Sequence, residues 1–270
     1  MFSRSLDALL AGRLAHHILE HVFAPDTPLP EAADLPRLSA AHLARGITRH
    51  APFLAAAERQ RERDTLRREG LRAAQVWHGI LTDTGARILQ AEGWLEGNAH
   101  GNEIRGRADC ILQLGDGRVV IIDHKKSRST GRRKRLREGW DLHIGLYRAM
   151  LARPIRREGD GLDLIAGQAP AIAYQLLNDG TVLVSGLDPV PGGRVEAVAG
   201  DISAKAVALL QSRLAEVGAG SIRLNGTKDE AAFAKAAVIA AYALDVSPLV
   251  RRLMAEGLSV NLQPEEEDAP

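Results

Sequence analysis

Residues 103–125, EIRGRADCILQLGDGRVVIIDHK, constrain the fold more than any other part of the chain. A strand-like run ends at Leu114, Gly115-Asp116-Gly117 follows, and a β-branched run, Arg118–Asp123, begins at once. Glycine and aspartate between two such runs mark a hairpin, because tight turns need residues that tolerate positive φ. A three-residue loop makes Leu114 face Arg118, and antiparallel counting then sets Asp109 opposite Asp123, whereas a two-residue loop would shift the pairing and send them to opposite faces. Opposed β-carbons sit roughly 4.5–5.5 Å apart, a distance at which like charges repel. Two carboxylates so placed need a counter-charge, and a divalent cation supplies it. Asp123 and Lys125 are two apart and share a strand face, while His124 points away. Two carboxylates with an ammonium form a hard, oxygen-rich set that suits Mg²⁺ or Mn²⁺, ions that also take phosphate oxygens. The run VVII brings Asp123 out of a buried strand, unlike a surface Asp–Lys pair.

The flanking segments read as helices and one more hairpin. Residues 3–23 carry apolar residues at helical spacing and stop before Pro25. Prolines 25, 28, 30 and 36 mark a connection. Residues 39–79 return to helical spacing, with Ser39 as a cap, Ala51-Pro52 as a second start and Gly70 as an interruption. Strands are expected at Arg87–Leu95, Glu103–Leu114 and Arg118–Asp123, and a helix at 137–152. A second hairpin, Ala171–Leu177 with Thr181–Ser185, turns at Asn178-Asp179-Gly180. Helices are expected at 201–217, 228–243 and 247–256. This order fits one α/β (α+β) domain: a helical region 1–85, a sheet core 86–190, a helical region 200–258 and an acidic tail 259–270.

Composition narrows the function. With 45% hydrophobic and 26% charged residues the chain reads as globular. The start, MFSRSLDALL, lacks a signal peptide's apolar region, and no apolar run is long enough to span a membrane, so the expected location is the cytoplasm. The single cysteine, Cys110, excludes an internal disulfide and an iron–sulfur cluster. Net charge is only +1, yet residues 125–137 hold eight basic side chains and no acidic one. That block beside a candidate metal site points to a polyanionic substrate, with Lys126, Arg128, Arg132, Arg133, Lys134 and Arg135 against its backbone, and Gly131 loosening the segment. No P-loop lysine motif is present, so no ATP motor is expected within the sequence.

Several segments together resemble the PD-(D/E)XK nucleases, in their RecB-like and AddB-like branch. Gly106-Arg107-Ala108-Asp109 followed by Ile121-Ile122-Asp123-His124-Lys125 is similar to the G-x-x-D … D-x-K core of that group. Gly12–Glu20 (GRLAHHILE) resembles its G-x-x-x-H-x-x-L-E helix, and Tyr147 stands where the branch carries Q-x-x-x-Y, with His143 at the glutamine position. Glu92 precedes the G-x-x-D segment as an acidic residue does in those domains. The resemblance implies a restriction-endonuclease-like core, a central mixed β-sheet flanked by helices. It implies a metal held by His16, Asp109, Asp123 and the backbone carbonyl of His124, with Asp109, Asp123 and Lys125 catalytic. Tyr147 would join the basic residues on nucleic acid, with Glu20, Glu92 and His143 in support. The implied activity is Mg²⁺- or Mn²⁺-dependent cleavage of DNA in repair, recombination or defence, beside a helicase or repair partner. A catalytically silent DNA-binding module is the competing reading, and the intact carboxylate pair argues against it.

Overall fold

The computed structural model describes residues 5–99, 101–138, 141–155, 170–191, 193–198, 204–223 and 259–261. Helix α1 (Ala8–Val22) starts where Asp7 accepts the Leu10 N–H at 2.7 Å, a side-chain cap on an otherwise unsatisfied donor. Its buried stripe includes Leu14, Ile18, Leu19 and Val22. Helix α2 (Leu35–His50) begins before Ser39, which is buried inside it rather than capping it. Pro36, with φ already helical and no N–H to satisfy, sets the earlier start. Pro52 opens only a short 3-10 turn, and α3 then runs from Gln60 to Thr84, ending on Gly85 in the left-handed region. Gly70 does not interrupt α3. It sits against Ile18 of α1, whose Cδ1 would lie 2.4 Å from a β-carbon at position 70. The glycine is there for close approach, not for a break.

Six strands form one mixed sheet in chain order, β1 (Arg87–Ala99), β2 (Asn102–Gln113), β3 (Val119–Lys125), β4 (Ala171–Leu176), β5 (Thr181–Ser185) and β6 (Val195–Ala197). β1, β2 and β3 are successively antiparallel, β3 and β4 are parallel, β4 and β5 antiparallel, and β5 and β6 parallel. The expected second hairpin is β4–β5, with Gly180 at positive φ in its turn. Every residue of β4 is buried and β3 is buried up to Lys125, as the middle of a covered sheet requires. Cys110, Leu112, Val120, Ile122, Ala171 and Ala173 meet the apolar faces of α1, α2 and α3 in one core. β1 and β2 stay paired to their tips, so both run beyond the residues covered by β3.

The parallel β3–β4 connection carries α4 (Ser129–Glu138) and α5 (Leu142–Ala152). The basic block is therefore a helix. Arg, Lys and Leu favour helix, Asp179 accepts the Ser129 N–H at 2.7 Å at its start, and together these outweigh Gly131 at a cost of about 1 kcal/mol. The chain divides into two compact units, Met1–Thr130 with Leu146–Gly200, and Gly131–Gly145 with Asp201–Pro270. The second holds α6 (Ala204–Gly218), where a helix was expected, and a two-stranded sheet of β7 (Ser221–Arg223) and β8 (Ser259–Asn261). The helices expected at 228–243 and 247–256 lie outside the described residues, as does the tail from 262. Among the described residues no helix is long and apolar enough to cross a membrane.

Candidate active site

The β2–β3 hairpin has the three-residue loop that its glycines call for. Leu114 donates its N–H to the Arg118 carbonyl at 2.8 Å, Gly117 takes φ +89, and pairing runs from Gln113↔Val119 to Cys110↔Ile122. One more step would set Asp109 against Asp123, but the ladder stops. The Asp109 carboxylate instead accepts the backbone N–H of His124 at 2.6 Å. Asp123, almost wholly buried, meets the Lys125 ammonium at 2.6 Å. The expectation of two carboxylates repelling face to face is thus corrected: each has its own partner at the fork where the two strands part.

The fork is completed from β1 and α1. On β1, Ala91 pairs Cys110 and Gly93 pairs Ala108, which leaves Glu92 alongside Asp109. Glu92 has φ +55, uncommon for a residue other than glycine, and such backbone recurs at functional sites. Its carboxylate is 2.9 Å from the Arg107 guanidinium. Burial and then the Asp109 charge push its pKa up, Arg107 opposes them, and Glu20 adds to the rise. From α1, His16 places Nε2 2.7 Å from the His124 carbonyl oxygen and Nδ1 3.7 Å from an Asp109 oxygen. A carbonyl can only accept, so Nε2 carries the proton in this arrangement. His16, Glu92 and Asp109 each offer a donor atom within 4.8 Å of the others. Asp123 is outside that trio.

The His124 ring turns away from the fork into the core, edge-on to Trp77 with centroids 5.1 Å apart. Burial, with His16 nearby, lowers its pKa to about 3, so the ring stays neutral and its carbonyl is what faces the site. Two glycines of the β1–β2 pair have steric reasons. A β-carbon on Gly106 would lie 2.9 Å from Met150 Cε and 3.3 Å from the Tyr147 ring, and one on Gly97 would lie 2.4 Å from the Met150 α-carbon. Tyr147 itself is buried and donates its hydroxyl to the Arg107 carbonyl at 2.9 Å. Burial, then Asp123, Asp109 and Glu92, push its pKa up and keep it a phenol.

The chain's segments from both units fall in one family: the model of the PD-(D/E)XK nuclease superfamily matches residues 3–244. The chain belongs to the PD-(D/E)XK nuclease superfamily. No curated protein matches it. The mixed six-stranded sheet with its flanking helices is the α/β, restriction-endonuclease-like fold of this superfamily. PD-(D/E)XK nucleases use divalent metals, and the fork offers a fitting donor set of two carboxylates, an imidazole and a carbonyl. Burial and the neighbouring Asp109 charge raise the proton affinity of Glu92, and a cation between the two would relieve that crowding.

Other sequence-derived residues of this nuclease lie further out. Lys126 pairs with Glu69 of α3 at 2.6 Å, and Arg128 is exposed. Arg132, Arg133, Lys134 and Arg135 lie on α4 and His143 on α5, all within the second unit, where Arg132 pairs with Asp141. Glu20 groups with His17 and His21. Two β1 residues escaped the sequence reading. Buried Glu96 pairs with Arg105 at 2.6 Å, and exposed Trp94 has that guanidinium 3.9 Å from its ring centre. The alternation Glu92-Trp94-Glu96 against Arg105-Arg107 is the signal that would have found them, once β1 is extended to Ala99.

Proposed function

We propose that the chain is a RecB-like deoxyribonuclease that hydrolyses phosphodiester bonds with Mg²⁺ or Mn²⁺. The observation that carries this is the convergence at one strand fork of His16, Asp109 and the His124 carbonyl, beside the Asp123–Lys125 pair. These donors, with Asp123, would hold the ion. When bound, such an ion lowers the pKa of a water and neutralises charge on a phosphate. The chain's own groups supply the rest. Asp109, held by the His124 N–H, presents a carboxylate of set orientation. Asp123 holds the Lys125 ammonium, partly exposed, at the site's edge. From there Lys125 is suited to orient the attacking water or to balance charge developing on the scissile phosphate. Lys126, Arg128, Arg132, Arg133, Lys134 and Arg135 would draw the DNA backbone without reading its bases. A role in repair, recombination or defence, beside a helicase, goes with this reading.

The test is cleavage of single-stranded, linear duplex and circular DNA with Mg²⁺, with Mn²⁺ and with chelator, using Lys125→Ala as control. Metal-dependent products from wild type alone support the reading. Binding without cleavage of every substrate would instead favour the silent DNA-binding module.

A further inference from the structure

A second histidine-rich cluster lies on the α1–α2 interface, sharing Glu20 with the surroundings of the fork. His17 and His21 are four apart on α1, and His42, Gly46 and His50 follow one another at the same spacing along one face of α2. The rings form a chain: His50 to His17 at 5.6 Å between centroids, His17 to His21 at 4.1 Å, His21 to His42 at 5.4 Å. Gly46 makes this possible, since a β-carbon there would lie 2.8 Å from the His17 ring. His17, Glu20 and His21 each offer a ligand atom within 4.8 Å of the others.

Packing alone explains this arrangement poorly. His17 is buried, and its Nε2 has no hydrogen-bond partner; neither does the buried Nδ1 of His42. Buried polar nitrogens are nearly always satisfied, so two orphans in one cluster call for a missing partner. His21 is already prepared for one. Its Nδ1 lies 2.9 Å from the His17 carbonyl oxygen, which can only accept, so the proton is on Nδ1 and the lone pair on Nε2. A backbone carbonyl on one ring nitrogen is the usual way a metal-binding imidazole is oriented. His21 is exposed, which leaves an entry path.

We infer that His17, Glu20 and His21, with His42 as the fourth donor, form a site for a transition-metal ion of the Zn²⁺ class that clamps α1 to α2. Imidazoles suit Zn²⁺, Co²⁺ or Ni²⁺, whereas Mg²⁺ prefers oxygen, so this site and the fork select different ions. Tetrahedral Zn²⁺ takes such a donor set with ligands at about 2.0–2.1 Å, His21 keeping its bond to the His17 carbonyl while the tilted His17 ring and the His42 ring turn toward its free nitrogen.

The test is a Co²⁺ titration of the metal-stripped full chain in excess Mg²⁺, read by visible d–d absorption. Wild type and Asp109→Asn should both give the intense tetrahedral band, displaced by Zn²⁺. His21→Gln and His42→Gln should each lose it, with affinity falling by more than the about 10–100-fold that loss of an outer-shell partner costs. No band in wild type, a band lost with Asp109→Asn, or one kept in both histidine variants overturns the site. Should a variant fail to fold by circular dichroism, acylation of wild-type histidines mapped by mass spectrometry decides. Zn²⁺ must protect His21 and His42 but not His78, whose Nε2 lies against the Pro30 carbonyl. Equal labelling of His21 and His42 with and without Zn²⁺ overturns it too.

Discussion

Replacing Gly70 by alanine sets two effects of known size against each other. In the middle of α3 the change gains about 1 kcal/mol of helix propensity. Its new methyl, however, would lie 2.4 Å from Cδ1 of Ile18, a residue only 2% exposed. Forcing an extra methyl into such a core costs about 1–3 kcal/mol, so Gly70→Ala should lose about 1 kcal/mol net. Ile18→Val removes the obstructing carbon and by itself should cost about 0.5–1.5 kcal/mol. Combined, the alanine methyl fills the space that Cδ1 leaves, and the propensity gain survives. The double variant should equal or exceed wild type, a coupling of about 2 kcal/mol. Urea denaturation of the four proteins measures this cycle. Because α1 also carries His16, metal-dependent cleavage should fall in Gly70→Ala and recover in the double variant. Additive effects, or stabilisation by Gly70→Ala alone, would refute the close packing of α1 on α3 and the reason given for this glycine.

Further outcomes follow from the sites. Lys125→Ala should lower single-turnover cleavage by about 100-fold or more while leaving DNA affinity within a few-fold, measured by filter binding alongside cleavage. Replacing Arg132, Arg133, Lys134 and Arg135 together by alanine should weaken DNA binding alike across sequences. It should flatten the salt dependence by about 0.7 per lost contact on single strands and 0.9 on duplex; an unchanged slope would mean that the DNA path lies elsewhere. His17 and His124 have pKa values lowered to about 4 and about 3, chiefly by burial, against 6.5 for the free side chain. Below pH 6.5 the unfolded chain takes up protons that the folded one refuses, so stability present above that value is lost as pH falls toward 4 and 3. Metal-free melting temperatures that stay level from pH 7 to 5, with no difference in His17→Gln, would contradict this.

Local signals carried much of the fold. The register of β2 on β3 was legible because Gly115-Asp116-Gly117 sets loop length, and loop length sets every pairing up to Cys110↔Ile122. What it could not show is where the ladder stops, since the capture of the His124 N–H by Asp109 is a side-chain event at the strand fork. Gly70 misled for the opposite reason: its local preference is to break a helix, and only the approach of Ile18 explains it. The basic block read as a loosened segment because Gly131 is visible in sequence and the Asp179 cap, fifty residues on from Ser129, is not. The positive φ of Glu92 and the meeting of α1 with α2 histidines are likewise tertiary facts.

The central claim is that the fork around Asp109 is a metal-dependent nuclease centre. Single-turnover cleavage of DNA against Mn²⁺ concentration, in wild type and Asp109→Asn, tests it most directly. Asparagine keeps an oxygen for the His124 N–H and so spares the fork's geometry, while removing one negative charge from the ion's ligands. Wild type should cleave with saturable Mn²⁺ dependence, and the folded variant should show no cleavage at any Mn²⁺ concentration. Equal rates and equal Mn²⁺ dependence in the two proteins would contradict the account.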